Sequence, residues 1–220
     1  MRLLLVNPNT SVQITERLAR SARVAMHADT DTLSALTAPE GPAVVRNAVD
    51  LREAERSAMA MVDAHRAAHD AVLLAISLDG AAVALRARHP DLPVVGMTEA
   101  ALFVACLRAE RVGLLTVGAA MLPLYRERVA AIGIASRVAA YEAPDLPAAF
   151  APDAAAVDPQ VLDTLAGAVA RMRGREGCGA VVLAGAVLCG YADALTRRAS
   201  LPVIDGVSAA VGQARLLLGR

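Results

Sequence analysis

Residues 71–101, AVLLAISLDGAAVALRARHPDLPVVGMTEAA, return in altered form as residues 180–210, AVVLAGAVLCGYADALTRRASLPVIDGVSAA, without a gap and at an offset of 109. Ala71-Val72 falls on Ala180-Val181, Leu74-Ala75 on Leu183-Ala184, and Leu92-Pro93-Val94 on Leu201-Pro202-Val203. Each copy passes from an apolar run of strand length through a turn of small residues into a helical pattern. Leu-Pro-Val then leads into a second apolar run. This is strand–turn–helix–strand, written twice. Further out, Leu4-Leu5 falls on Leu114-Leu115 and Glu16-Arg17 on Glu127-Arg128, at offsets of 110 and 111. The repeat therefore reaches the start of each half, and the chain reads as an α/β protein of two pseudosymmetric lobes. Each lobe is expected to hold a parallel sheet of about four strands flanked by helices, with a cleft where the lobes meet.

The apolar runs place strands at Leu3–Val6, Thr32–Thr37, Ala71–Ile76 and Val94-Val95, then at Val112–Val117, Val138–Tyr141, Ala180–Leu183 and Val203-Ile204. Helical periodicity spans Ser11–Met26, Ala48–Ala67, Ala81–Arg88, Glu99–Leu107, Pro123–Ala131, Val161–Arg173 and Val207–Leu218. Between Ala139 and Pro159 the chain is rich in Ala, Pro and Asp and reads as a short strand followed by a surface loop. By the repeat, the last helix corresponds to the one that bridges the lobes at Glu99–Leu107. It is expected to return to the first lobe, which is then discontinuous: residues 1–97 plus 205–220, with 98–204 as the second lobe.

Composition narrows the chemistry. Lysine is absent and all 22 basic residues are Arg, so a lysine Schiff base and a Walker-type phosphate loop are both excluded. Aromatics are only 2% and the formal net charge is zero, which argues against nucleic acid as a partner. Cys106, Cys178 and Cys189 have no paired spacing, so a reducing, cytoplasmic setting is expected. The apolar run at the start is too short for a signal peptide, and no run approaches about 18 apolar residues, so no membrane association is expected. The Ala-rich helices suggest a homo-oligomer.

In parallel sheets, ligands bind beyond the carboxyl ends of the strands. The ends named by the pattern are Asn7–Thr10, Ser77–Gly80, Gly96–Glu99, Thr116–Gly118, Gly185–Gly190 and Asp205-Gly206. Pro8 ends the first strand, and Thr10 with Gln13 reads as a capping box opening the next helix. Thr98 reads as the cap of the Glu99 helix, and Pro39–Pro42 as a loop long enough to reach the cleft. With two related lobes facing each other, Ser77–Gly80 and Gly185–Gly190 should lie opposite. That is the arrangement proton transfer on the two faces of a flat carbanion requires. His65 and His69 are spaced to face one metal, but no third ligand is evident, and histidines at a helix C-terminus are also favoured by its dipole.

Asn7-Pro8-Asn9-Thr10, PVVGMTEAA at 93–101, VVLAGA at 181–186 and PVIDGV at 202–207 together resemble the aspartate/glutamate/hydantoin racemase superfamily, closest to its hydantoin and allantoin racemase branch. The resemblance covers the whole chain. It implies a cofactor-independent isomerase in which a cysteine after the third strand of each lobe exchanges a proton with the substrate's α-carbon. It also implies that backbone N–H groups and small polar side chains hold a small carboxylate or cyclic imide. In this chain those cysteine positions fall on Ile76 or Ser77, and on Gly185.

Other groups must then carry the chemistry, or it is changed to a single-thiol decarboxylase or lost in a binding homologue. Cys189, placed in the first turn of the next helix where the dipole would acidify it, and Asp79 across from it are the candidate proton carriers, with Glu99 and Tyr125 as further candidates. The first two have plainer readings, as a small buried residue and as a helix cap. Asn7, Asn9, Thr10, Ser77, Thr98, Glu99, Thr116, Gly118, Tyr125, Gly185 and Ala186 are the candidate substrate-holding residues. No metal site and no cofactor are expected.

Overall fold

The computed structural model describes residues 1–146 and 157–219. Among these the strands form two four-stranded sheets, all parallel. The first holds β1 (Arg2–Asn7), β2 (Thr32–Thr37), β3 (Ala71–Leu74) and β4 (Val94–Gly96) in the order β2-β1-β3-β4. The second holds β5 (Val112–Leu115), β6 (Val138–Glu142), β7 (Ala180–Leu183) and β8 (Val203–Asp205) in the order β6-β5-β7-β8. The two orders are the same once the numbering is shifted by four, so the internal repeat is a repeat of topology.

The central strands are apolar runs without alternation because both faces of each sheet are covered. Leu3, Leu4, Leu5 and Val6 are fully buried, as are Ala71–Leu74. Helices α1 (Val12–Ala25), α2 (Ala48–His65), α3 (Ala82–Arg88) and α4 (Met97–Arg108) follow the first four strands in turn. Helices α5 (Leu122–Ala131), α6 (Pro159–Glu176), α7 (Ala192–Ala199) and α8 (Gly206–Leu217) follow the second four.

Local signals set most helix ends. Asp158 accepts from Gln160 N and Val161 N, Pro159 fills the first turn of α6, and Gly177 ends it in the left-handed conformation. Two expected caps are different. Ser11, not Thr10, caps α1, its hydroxyl accepting from Ile14 N. Thr10 instead donates its backbone N–H to Pro42 O, tying down the loop before α2. Thr98 does not cap α4: Gly96 occupies the cap position, Thr98 lies inside the helix, and the Asp79 side chain receives the helix's first amides.

The lobes exchange helices. α4 leaves the first sheet and buries Ala101, Leu102 and Ala105 with Val112, Leu114, Ala180 and Val182 of the second. α8 leaves the second sheet and buries Val207, Ala210, Val211 and Ala214 with Leu3, Leu5, Ala71 and Leu73 of the first. Each fully buried Val or Leu contributes roughly 1.5–3 kcal/mol, so the exchanged helices are a main part of what joins the lobes. Their starting residues touch: a Cβ at Gly206 would stand 2.7 Å from Met97 O.

Candidate functional site

The carboxyl ends of β1, β3, β5 and β7 meet around a cavity of about 530 Å³ between the lobes. The first lobe lines it with Pro8, Asn9, Ala75, Ile76 and Ser77; the second with Thr116–Met121, Tyr125 and Ala184–Val187. Ser77 and Gly185-Ala186 therefore share one cavity. A third contribution comes from the loop before α2, through Val44, Val45 and Arg46. Arg46 is the charged side chain of this lining, and it is exposed at the rim.

The turn after β1 is built by side chains. Asn7, fully buried, donates from Nδ2 to Asn9 Oδ1 at 2.9 Å and to Thr15 Oγ1 at 2.9 Å. Asn9 Oδ1 also accepts from Ser11 N at 3.0 Å. Asn7 is thus consumed in holding the turn, while Asn9 lines the cavity with its Nδ2 donor uncommitted among the described residues.

The turns after β3 and β7 are each a single 3₁₀ turn, Ser77–Asp79 and Ala186–Leu188. The first amides of such a turn have no partner within it, so both cleft faces begin with N–H groups available to an oxygen. The turns reach this shape differently. After β7, glycines take the left-handed angles, with φ +119° at Gly185 and +90° at Gly190. After β3, Leu78, Asp79 and Ala81 have φ of 64°, 54° and 70° with side chains attached. Strain of this kind concentrates at ligand sites.

Asp79 explains how that strain is held. It is 2% exposed, and its carboxylate accepts from Thr98 N at 2.8 Å and Glu99 N at 2.7 Å. Burial pushes its pKa up to about 6, against the lowering effect of those two amides and of Arg128. Asp79 does not line the cavity; it stands behind Ser77 and ties that turn to α4. Glu99 is likewise turned away, paired with Arg128 at 2.9 Å and Arg86 at 3.1 Å. Thr98 Oγ1 is buried without a partner.

Tyr125, from α5, is fully buried at the cavity wall, and its hydroxyl is also without a hydrogen bond among the described residues. Burial raises its pKa, while the hydroxyls of Ser77 and Thr116 nearby pull the other way. Three hydroxyls thus collect at one end of the cavity.

Cys189 departs from its expected setting. It lies before α7 rather than in its first turn, in a non-helical conformation with φ −57° and ψ 135°. It is 4% exposed and borders a separate cavity of about 270 Å³ with Arg17, Ser21 and Asp205. Burial pushes its thiol well above the ordinary value, and the Asp205 carboxylate pushes it further. A helix dipole therefore does not acidify it. His69 Nδ1 meets His65 O at 2.8 Å, and among the described residues no cluster of three ligating side chains accompanies the pair. Among the same residues no helix is long and apolar enough to cross a membrane.

Arg46 is the site residue the sequence did not announce. It sits between a proline-rich loop and the Asn47 cap of α2, outside the repeated segments, and no local pattern marks it.

Two like lobes closing on one small cavity at their strand ends define the class: a two-lobed α/β protein with a small-molecule-sized cavity between facing turns. The description "Asp/Glu/Hydantoin racemase" matches residues 3–214, and the chain belongs to that family. A hydantoin racemase of Paenarthrobacter aurescens is 30% identical over 223 residues, covering 99% of this chain and 91% of that one. The structure of an allantoin racemase from Klebsiella pneumoniae matches with a TM-score of 0.90 at 29% identity, covering 100% of this chain and 88% of that one. An allantoin racemase from Pseudomonas fluorescens matches with a TM-score of 0.88 at 26% identity, covering 100% and 91%. The chain is a racemase-like enzyme of this family.

Proposed function

We propose that the protein exchanges the α-proton of a hydantoin-like cyclic imide in the cavity between its lobes, without a cofactor. The observation that carries this reading is the facing of Ser77 and Gly185-Ala186 across a largely apolar cavity whose charged side chain is a single Arg at the rim. An amino acid such as aspartate would need partners for an ammonium and two carboxylates. A cyclic imide presents mainly carbonyls and ring N–H groups, which neutral donors satisfy. The N–H groups of Ser77, Gly185 and Ala186, with Asn9 Nδ2 and the Thr116 hydroxyl, are the proposed donors to the ring carbonyls. Gly118 gives its turn the angle that keeps this edge open.

The proton-carrying role falls to Ser77 and Tyr125, whose hydroxyls share the wall, and not to Cys189 or Asp79, which lie outside the lining. Burial keeps the Tyr125 phenol protonated, so it can give a proton to the carbanion but cannot take one from Ser77. The ring carbonyl delocalises the carbanion and lowers the demand on the base. Gly185 has no side chain to carry a proton on the opposite face. Single-face protonation, as a decarboxylase or lyase would use, is the second reading that this glycine favours.

The division into 1–97 plus 205–220 and 98–204 is supported by the packing of α8 on the first sheet. A homo-oligomer is supported by exposed Phe103 and Leu107 on α4 and Leu216 and Leu217 on α8. A cytoplasmic setting is supported by three free cysteines.

The test is α-proton exchange in D₂O, followed by proton NMR, over substituted hydantoins, allantoin, aspartate and glutamate. The expected result is wash-in of deuterium with the cyclic imides, lost in Ser77→Ala. Exchange confined to the amino acids would reject the substrate class. Exchange undiminished in both Ser77→Ala and Tyr125→Phe would reject the residue roles. Ligand binding without exchange on any compound would leave a binding protein.

A further inference from the structure

Two arginines occupy equivalent places in the internal repeat: Arg17 on α1 and Arg128 on α5. Each crosses the lobe boundary. Arg17, only 6% exposed, donates from Nη1 to Val187 O at 3.0 Å, and its guanidinium lies 6.0 Å from the Tyr191 ring centre. Val187 follows Gly185-Ala186 in the cavity wall of the other lobe. Arg128, with its side chain 14% exposed, donates to Glu99 Oε2 at 2.9 Å within its own lobe and reaches across the boundary to within 3.6 Å of Asp79 Oδ2. Asp79 closes the turn that begins at Ser77. The helices agree with the side chains: α1 packs on the 186–188 turn and α5 on the 77–79 turn.

A second link accompanies each arginine, with donor and acceptor exchanged. In the first lobe the acid is on the turn and the amides are on the helix, since Asp79 accepts from Thr98 N and Glu99 N of α4. In the second the acid is on the helix and the amide is on the turn. Asp205 caps α8 through Val207 N and Ser208 N, and also accepts from Gly190 N at 3.3 Å. Neither cleft turn is held by its own sheet alone.

We propose that Arg17 and Arg128 are a pseudosymmetric pair of positioning residues, each reaching from its own lobe to fix the opposite lobe's cleft turn, so that the two faces of the site are set by reciprocal contacts across the lobe boundary. A guanidinium suits the task. It remains charged at any working pH, and its fork can hold a carbonyl or two carboxylates while its stem packs in the interface. The physical consequence is that each turn's order depends on a residue distant in sequence, on the other lobe.

The experiment is amide hydrogen exchange by mass spectrometry on full-length wild-type protein, Arg17→Gln and Arg128→Gln, without ligand. Arg17→Gln should speed exchange in residues 184–190 roughly tenfold and leave 76–82 unchanged; Arg128→Gln should do the reverse. Arg17→Lys, which keeps the charge and the stem, should restore most of the protection at 184–190, and it is the variant to compare if Arg17→Gln does not fold. Uniform loosening, or loosening confined to each variant's own helix, would overturn the proposal, as would Arg17→Lys protection no better than that of the Gln variant.

The bearing on catalysis rests on the functional reading above. There, both variants should lower the rate constant for α-proton exchange roughly tenfold with KM little changed, because reacting groups a fraction of an ångström out of place still bind substrate. Absence of exchange in the wild-type protein would mark failure of that reading, and the crossed protection pattern would be scored without it.

Discussion

Replacing Asp79 by Asn should change how stability depends on pH, in the direction opposite to that of most carboxylates. In the folded chain burial lifts this carboxyl from the ordinary 3.8 to about 6, although two amides and Arg128 favour its charged form. Its folded pKa therefore lies above its unfolded one. Between the two values the native state holds the extra proton, so stability is fully present below the unfolded pKa and is lost as pH rises through the folded value. A displacement of this size corresponds to about 3 kcal/mol between the two ends of the window. Asp31 and Asp63 are shifted the other way, and Glu55 is raised, but all three are common to both proteins and cancel in the difference. Urea unfolding of wild type and Asp79→Asn at intervals from about pH 7 to about pH 4 measures it. The wild type should gain on the variant by about 2 kcal/mol over that range, the remainder following below the unfolded pKa. A flat difference, or one that shrinks on acidification, would mean that the amides and Arg128 outweigh burial, and the reasoning would be wrong.

Tyr125→Phe should separate stability from activity. The hydroxyl it removes is buried without a hydrogen bond, so unfolding should change by less than about 1 kcal/mol while α-proton exchange falls sharply. Equal losses in both measurements would count against the proton-carrying role. Gly185→Cys, which puts a thiol where the family resemblance expects one, should destabilise by roughly 1–3 kcal/mol, because the native φ is +119° although no atom is nearer than 3.8 Å; thermal melts read this. Gly206→Ala should destabilise as well, by roughly 1–3 kcal/mol in urea, because its Cβ would meet the Met97 carbonyl at 2.7 Å. Arg46→Gln should leave exchange of uncharged hydantoins within about twofold and raise KM for those with an acidic substituent; no distinction between the two would remove Arg46 from the site.

The duplicated pattern determined the architecture without help. Period, length and turn residues are local properties, and two gapless copies of strand–turn–helix–strand admit few arrangements once crossovers must be right-handed. Thr32–Thr37 and Ala180–Leu183 appear at the expected limits, and the polar strand ends that gather in the cleft were legible from the same rule of parallel sheets. The resemblance to the racemase family was legible too, because it is carried by short contiguous motifs.

What the sequence could not decide is which side chains face the cavity. Ser77 and Asp79 are two residues apart, yet one lines the cavity and the other is buried behind it, because the chain turns left-handed between them and α4 supplies two amides to hold it there. Cys189 looked like a thiol at a helix start; burial ahead of α7 and, after burial, the nearness of Asp205 made it a poor acid instead. The correspondence of Arg17 with Arg128 was visible as a repeat, but their crossing contacts, and the arrival of Arg46 from an unrepeated loop, were not. Those depend on the exchange of α4 and α8 between lobes, and desolvation, helix N-termini and contacts across a boundary exist only once the sheets have closed on each other.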